Sequence, residues 1–93
     1  MKFNRAECRW NGWTRQHIGE HGVVPEEVEW VIRTVRRPYP EHRGDGKWRV
    51  CGRTRDGRYL HIIFVLDPPD VIYVIHAREM TDDEKRRYRK RRR

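Results

Sequence analysis

Four side chains that could take part in proton transfer or phosphate binding lie in the two most strand-like segments of the chain. Tyr59 and His61 are two positions apart, and so are His76 and Arg78. Side chains two positions apart in a strand project from the same face of a sheet. A histidine exchanges protons near neutral pH, and a guanidinium stabilises charge that develops on phosphate. This set of residues is therefore suited to cutting RNA, with one group removing the 2′-hydroxyl proton and another protonating the departing 5′-oxygen.

Each candidate catalytic residue also has a structural interpretation. His61 or His76 is the candidate base or acid, but histidines in neighbouring strands often only stack. Arg78 is the candidate phosphate clamp, yet it can instead form a salt bridge to an acid such as Glu84. Tyr88 is a second proton donor or a stacking group, or its ring simply packs on the sheet. Two histidines without a nearby carboxylate are a weak ligand set, so neither a metal site nor a cofactor is expected.

The first hairpin decides which residues of the preceding strand join this cluster. Interpreted as a two-residue type I′ turn, residues 56–57 place Gly52 opposite His61. That register puts Arg49 and Arg53 on the other face, beside a helix, unless a bulge shifts the strand.

The second hairpin decides whether the two histidines meet. A loop over residues 67–70 places His61 opposite His76. The same count places Tyr59 opposite Arg78. All four side chains would then gather at the end of the sheet nearest the first turn.

The elements that must position these residues begin with a helical half. A short strand is expected around residues 6–10, followed by a helix over 12–20 with Asn11 as its N-cap. A second helix begins at Pro25 and carries apolar residues at i, i+3, i+4 and i+7 spacing. It ends before residues 38–46, which contain two prolines and two glycines and are predicted to form a loop.

The second half of the chain has the pattern of an antiparallel meander. Three strands are expected, at residues 47–54, 59–66 and 71–78. Thr81 and Glu84 then form a capping box that opens a terminal helix. The sequence therefore predicts one α+β domain over residues 1–93, in the order β-α-α-β-β-β-α. It has an antiparallel sheet of three to four strands, two N-terminal helices on one face and a basic C-terminal helix.

The net charge of +8 resides in the last nine residues. Eight of residues 85–93 are Lys or Arg, and the rest of the chain is balanced at fourteen bases and fourteen acids. An isolated basic run of this kind indicates nucleic acid as a partner. Residues 89–93 supply no acid, base or specificity, so we interpret them as a basic tail that can fray and that captures any polyanion.

The cysteines and the apolar segments bear on the compartment. Cys8 and Cys51 have no paired spacing, so neither a zinc site nor a disulfide framework is expected. No apolar run approaches the roughly 20 residues of a membrane span, and the start of the chain lacks the apolar region of a signal peptide. We expect a cytoplasmic protein without a membrane partner.

Two groups of motifs resemble those of a known protein family. The first half contributes Trp10-Asn11, His21-Gly22-Val23 and Pro25-Glu26-Glu27-Val28. The second half contributes the stretch from Gly52 to Leu60, the stretch from Ile75 to Thr81, and then Glu84, Arg87 and Tyr88. These motifs resemble the BrnT family of toxins, members of the RelE/ParE superfamily of bacterial toxin–antitoxin systems. The chain departs from the family pattern at His76, Lys47 and Asn11, where serine, an acidic residue and aspartate are common.

The resemblance implies a metal-independent endoribonuclease toxin that inhibits translation and is neutralised by a cognate antitoxin protein. Its partners would be RNA, including ribosome-associated mRNA, and the antitoxin, in a homodimer or a toxin–antitoxin heterotetramer. Toxins of this superfamily use basic residues on the sheet, an arginine at the end of the last strand and, in some members, a tyrosine in the C-terminal helix. Arg78 and Tyr88 match the last two places. The candidate RNA-binding residues are Lys47, Arg49, Arg53, Arg58, Lys85 and Arg89.

Two other functions remain open from the residues alone. One is a non-catalytic domain on the same fold that binds nucleic acid or a protein partner, with His61 and His76 in structural roles. The other is a small metal-dependent hydrolase that uses the same histidine pair.

Overall fold

The computed structural model describes residues 6–67 and 70–91. In chain order its elements are β1 (Glu7–Arg9), α1 (Gly12–Gly19), α2 (Pro25–Arg33), β2 (Glu41–Gly44), β3 (Lys47–Arg53), β4 (Tyr59–Asp67), β5 (Val71–Glu79) and α3 (Asp82–Arg91). The strands form one sheet in the order β1-β5-β4-β3-β2. The pair β1–β5 is parallel and the other pairs are antiparallel. The predicted α+β class is confirmed.

The predicted helix caps are present and determine where two helices begin. The Thr14 amide donates to Asn11 Oδ1 at 2.8 Å, which caps α1. The Glu84 amide donates to Thr81 Oγ1 at 3.2 Å, and the Thr81 amide donates to Glu84 Oε1 at 2.8 Å. This reciprocal capping box fixes the start of α3 directly after the last strand. The basic residues continue the helix as far as Arg91, and residues 92–93 lie outside the described part of the chain.

One face of the sheet forms the core. Leu60, Ile62 and Phe64 of β4 are fully buried beneath the apolar stripe of α2. The helix approaches the sheet closely at Gly52, where a Cβ atom would stand only 2.8 Å from Val31 Cγ1. A side chain at this position would force Val31 to move, so glycine allows α2 to pack closely on β3. Within the described residues, no helix is long and apolar enough to cross a membrane.

The sheet has more strands than predicted, because β2 lies inside the segment that was expected to be a loop. Gly44 pairs with Lys47 across Asp45 and Gly46, which both have positive φ values, 53° and 72°. Positive φ at both central residues is the signature of a two-residue type I′ hairpin. The two prolines disfavoured a strand only at positions 38 and 40, so the loop prediction extended too far. The parallel edge strand β1 also makes the sheet mixed rather than antiparallel.

The predicted turn at residues 56–57 is wrong. The Thr54 amide donates to the Arg58 carbonyl at 2.8 Å, so three residues lie between the paired ends, and only Gly57 has a positive φ, 91°. A three-residue loop ending in a left-handed glycine shifts the register by one position. Cys51 therefore faces His61 and Arg53 faces Tyr59.

The predicted pairing of His61 with His76 is also wrong. His61 lies opposite Arg78, and His76 lies opposite Ile63. The β4–β5 register shifts by one residue between Ile63 and Phe64. Ile63 pairs with His76, but the next residue, Phe64, pairs with Val74. This bulge and the shifted start of the ladder account for the difference.

Candidate functional site

The sheet face turned away from α2 holds the residues that the sequence analysis selected as candidates for catalysis. Directly opposed residues in antiparallel strands share a face, so His61 shares this face with Arg78, and Tyr59 with Arg53. The ring of His76 lies 6.3 Å from that of His61, measured between centroids. The sequence-derived cluster of Tyr59, His61, His76 and Arg78 is therefore gathered on one face, although its pairing differs.

Arg78 is held by the first turn of α3. Its guanidinium donates to both carboxylate oxygens of Glu84, at 2.7 and 3.0 Å, and to the Glu79 carbonyl at 3.0 Å. The capping box at Thr81 places Glu84 within reach. The bond from Arg78 lowers the pKa of Glu84 to about 2, and the Thr81 amide adds to the effect. The salt bridge considered as an alternative role for Arg78 is thus present, and it orients the guanidinium at the end of β5.

His61 lies beside Arg78 but is shielded from solvent. Only 8% of its surface is exposed, and its Nδ1 atom is buried without a hydrogen-bond partner in the described part of the chain. Burial, followed by the positive charge of Arg78, lowers the pKa of His61 to about 4. The ring is therefore neutral at neutral pH, where it is able to accept a proton but not to donate one.

His76 is partly exposed and belongs to a larger group of imidazoles. His17 lies 6.0 Å and His21 5.1 Å from it, measured between ring centroids. Burial, His21, Arg78 and His17 all lower the pKa of His76, with burial the largest cause. Sequence analysis did not select His17 and His21. Their four-residue separation, which continues that of Trp13 and His17, was the available signal.

Three cations surround the ring of Tyr59, and we call this group the Tyr59 cluster. The charged groups of Arg53, Arg89 and Lys85 lie 5.0, 5.2 and 5.9 Å from the ring centroid. Hydrogen bonding to Arg89 is the main reason that the pKa of Tyr59 is lowered. In the described part of the chain none of the three forms an ion pair with a carboxylate. The cluster brings together three of the six predicted RNA-binding residues in a form suited to phosphate.

A second tyrosine on this side of the sheet, Tyr39, has similar surroundings in which part of the positive charge is neutralised, and we call this group the Tyr39 cluster. Arg49 and Arg91 lie 5.8 and 5.7 Å from its ring centroid. Both arginines also form ion pairs with Glu41, at 3.3 and 3.0 Å. Arg49, a predicted RNA-binding residue, is therefore engaged within the fold.

Tyr88 of α3 lies between the two clusters. Its ring centroid is 6.2 Å from that of Tyr39 and 5.9 Å from that of Tyr59, and only 6% of its surface is exposed. The residue thus packs α3 against the sheet beside Tyr59. Its ring is not presented at the surface as an open stacking group.

The two remaining predicted RNA-binding residues lie outside the Tyr59 cluster. Arg58 donates to both carboxylate oxygens of Glu27, at 2.9 and 2.8 Å, and to the Gly22 carbonyl at 3.1 Å. It thereby ties the β3–β4 loop to the start of α2. Lys47 is exposed at the opposite end of β3 from Arg53.

A metal site built on the histidines was one of the alternatives left open by the sequence. Among the described residues, no group of three or more His, Cys, Asp and Glu side chains is arranged to hold a metal ion. The four neighbouring imidazoles therefore meet as rings rather than with their nitrogen atoms converging on one point.

Comparison with known proteins defines the class of fold. No family model matches the chain, and no curated protein matches it. Among solved structures, the fold is that of a BrnT-type toxin. The structure that shows this is the ribonuclease toxin BrnT of Brucella abortus, with a TM-score of 0.65 and 16% sequence identity. The match covers 83% of this chain and 99% of that one, so almost the entire BrnT fold is present.

Proposed function

We propose that this protein is a metal-independent endoribonuclease, the toxin of a toxin–antitoxin system, and that a cognate antitoxin neutralises it. The observation that carries the proposal is the convergence of Arg78, two histidines and the uncompensated Tyr59 cluster on one face of a BrnT-like fold. The fold likeness supports it, because the solved neighbour is a ribonuclease toxin. Membership of the RelE/ParE superfamily and a cytoplasmic location belong to the same proposal.

In the proposed mechanism the Tyr59 cluster binds the RNA backbone and Arg78 holds the phosphate that reacts. Arg53, Lys85 and Arg89 supply the positive charge that retains the strand. The Arg78 guanidinium is already oriented by Glu84, so little reorganisation is needed when negative charge develops on the phosphate. Lys47 extends the basic path along the same face, whereas Arg49 and Arg58 act structurally through their acidic partners.

Proton transfer is assigned to the two histidines. Neutral His61 accepts the proton of the 2′-hydroxyl, the 2′-oxygen attacks phosphorus and the bond to the 5′-oxygen breaks. The products are a 2′,3′-cyclic phosphate and a 5′-hydroxyl end. His76 donates the proton to the leaving 5′-oxygen, since a bound phosphate raises the pKa of a neighbouring imidazole by favouring its charged form. Tyr88 acts as a positioning residue, because it is buried beside Tyr59.

The proposal is tested by cleavage of RNA in the presence of EDTA. Replacing Arg78 with alanine should lower the rate at saturating RNA by about 100-fold or more, the effect of removing one preorganised donor. The matched control is Arg9→Ala, which removes the same charge from an exposed residue of β1. Cleavage that is absent, or insensitive to Arg78→Ala, contradicts the ribonuclease proposal.

One observation favours the non-catalytic alternative. Arg78 is bound by both oxygens of Glu84, as expected of a purely structural arginine. That alternative predicts RNA binding without cleavage and no inhibition of growth when the protein is produced in cells. The toxin proposal predicts growth inhibition that Arg78→Ala relieves and that coexpression of the antitoxin suppresses.

A further inference from the structure

A row of aromatic rings leads away from the proposed cleavage site. Trp13, His17 and His21 follow one another at four-residue intervals, so they project on one side of α1 and of the turn after it. The ring of His76, from β5, lies 6.0 Å from His17 and 5.1 Å from His21. His76 is in turn 6.3 Å from His61. The row is therefore continuous from an exposed tryptophan to the histidine beside Arg78.

The outer end of this row is a flat pair of rings. The indole of Trp13 is parallel to the imidazole of His17 within 8°, with 4.9 Å between centroids. His17 thus supports one indole face, while 62% of the surface of Trp13 remains exposed. A tryptophan that served only the core would bury most of its large apolar surface instead.

We propose that Trp13 and His17 form a stacking subsite for an unpaired base of the RNA strand whose phosphate is held at Arg78. The inference rests on the proposed function and adds a place for a base to a site otherwise built for phosphate. Every nucleobase presents a flat face, and aromatic side chains on which bases stack are the usual complement to a basic groove. The row of rings ends at His61. Tyr59 lies two positions earlier in β4, on the same face, and the Tyr59 cluster surrounds it.

The surroundings of Trp13 suit RNA better than a protein partner. The first turn of α1 contains no acidic residue, so it does not repel phosphate. The other rings of the row are imidazoles, which are polar, whereas the centre of a protein interface is usually a desolvated apolar pocket. The subsite therefore takes a single-stranded nucleic acid, with its bases on the ring row and its phosphates on the cations.

The test measures binding of two strands that differ only in their bases. One is a short single-stranded RNA made resistant to cleavage by 2′-O-methyl groups, and the other is an abasic strand of the same length and backbone. Trp13→Ala is expected to weaken binding of the base-bearing strand about tenfold and to leave the abasic strand unaffected. Trp13→Phe should retain most of the affinity, and His17→Ala should give a smaller loss. Val24→Ala is the matched control, because Val24 is also an exposed apolar residue, 49% exposed.

The outcomes separate this inference from the proposed function. If Trp13→Ala leaves the base-bearing strand unaffected, or weakens both strands equally, the stacking subsite is overturned, even if the variant loses binding to an antitoxin. If the wild-type protein binds bases through Trp13 but cuts no RNA, the subsite stands and the ribonuclease assignment fails. If Arg78-dependent cleavage at low RNA concentration is unchanged in Trp13→Ala, the ribonuclease assignment stands and the subsite fails.

Discussion

The Tyr39 and Tyr59 clusters contain the same kinds of side chain but differ in how their positive charge is compensated. In each, arginines from β3 and α3 lie within 6 Å of a tyrosine ring, Arg49 and Arg91 in one and Arg53 and Arg89 in the other. Among the described residues, Glu41 supplies a carboxylate to the Tyr39 cluster and pairs with both of its arginines, and no carboxylate pairs with the cations of the Tyr59 cluster. Tyr39 is also more buried than Tyr59. In one cluster two arginines share a carboxylate that offsets part of their charge, and in the other all three positive charges remain available.

The difference shows why a basic terminal helix cannot be interpreted as one uniform electrostatic surface. Arg89 and Arg91 are two positions apart, yet they belong to different clusters because successive helical residues point in different directions. Arg91 is used to dock α3 through Glu41 and the Tyr39 hydroxyl. Trimming the end of the chain would therefore remove a structural contact as well as charge for capturing RNA.

The largest expected effect is on the pH dependence of stability and concerns His61, which lies between the clusters. Its titration determines the pH range in which the two clusters can be compared. Burial holds the pKa of His61 at about 4, below its ordinary 6.5, so the unfolded state binds the proton more tightly. The stability that follows from neutral His61 is present above pH 6.5 and is lost as pH falls to 4, by about 3 kcal/mol. Urea unfolding across this range should show the loss in the wild type and a clearly smaller loss in His61→Gln, where only the lowered pKa of His76 still contributes.

Glu84 serves as an internal control for that measurement, because its contribution to the free energy of unfolding changes in a lower pH range. Its pKa is about 2 in the fold against an ordinary 4.5, so its contribution is present above pH 4.5 and is lost as pH falls towards 2. A stability curve with no decline between pH 6.5 and 4 would show that His61 is not desolvated as described.

Removing the carboxylate from the Tyr39 cluster should destabilise the fold. Glu41→Ala leaves the partly buried Arg49 without its counter-ion, and the Arg49 Nε atom already has no hydrogen-bond partner in the described part of the chain. We expect a loss of about 2 kcal/mol in the free energy of unfolding, measured by urea denaturation, because an uncompensated buried charge remains. Arg53→Ala, in the exposed Tyr59 cluster, should cost less than about 0.5 kcal/mol. Equal losses would contradict the distinction between the clusters.

Adding a carboxylate to the Tyr59 cluster should stabilise the fold slightly and weaken RNA binding. Arg53→Glu places an acid beside Lys85 and Arg89 and so imitates Glu41. The change in the free energy of unfolding should be at most about 1 kcal/mol and favourable, because exposed ion pairs contribute little. RNA affinity should fall further than in Arg53→Ala, as measured by fluorescence anisotropy with a cleavage-resistant strand. Unchanged affinity would show that the cluster does not contact phosphate.

The two Asp-Gly pairs of the chain show how far local sequence could predict the fold. Residues 45–46 form a type I′ hairpin, a turn for which Asp-Gly is favoured, but the segment was assigned to a loop because of the nearby prolines. Residues 56–57 were predicted to form such a turn, yet the loop is one residue longer, since Thr54 and Arg58 pair through their backbones and through the Thr54 hydroxyl. Turn type depends on these contacts, and the register of the whole sheet follows from it. The helix caps were predictable because they are local.

In the candidate site, too, local sequence predicts the position of some residues and not of others. Arg78 and the capping box beside it could be predicted, because a strand end and a helix start leave little choice of position. The grouping of Arg53 with Arg89 could not, because it depends on how α3 packs across β3, which no local pattern specifies. The neutralising role of Glu41 was missed for the same reason, since β2 itself was not predicted.

The salt dependence of RNA binding in Arg89→Ala and Arg91→Ala tests whether the Tyr59 cluster, and not the Tyr39 cluster, contacts phosphate. The two substitutions lie on one helix and remove the same charge, so they differ only in which cluster they alter. A cleavage-resistant single strand is titrated at several salt concentrations above pH 6.5. We predict that the log–log slope falls by about 0.7 in Arg89→Ala, equivalent to one lost phosphate contact, and stays unchanged in Arg91→Ala. Equal slopes in the two variants, or a loss in Arg91→Ala alone, would contradict it.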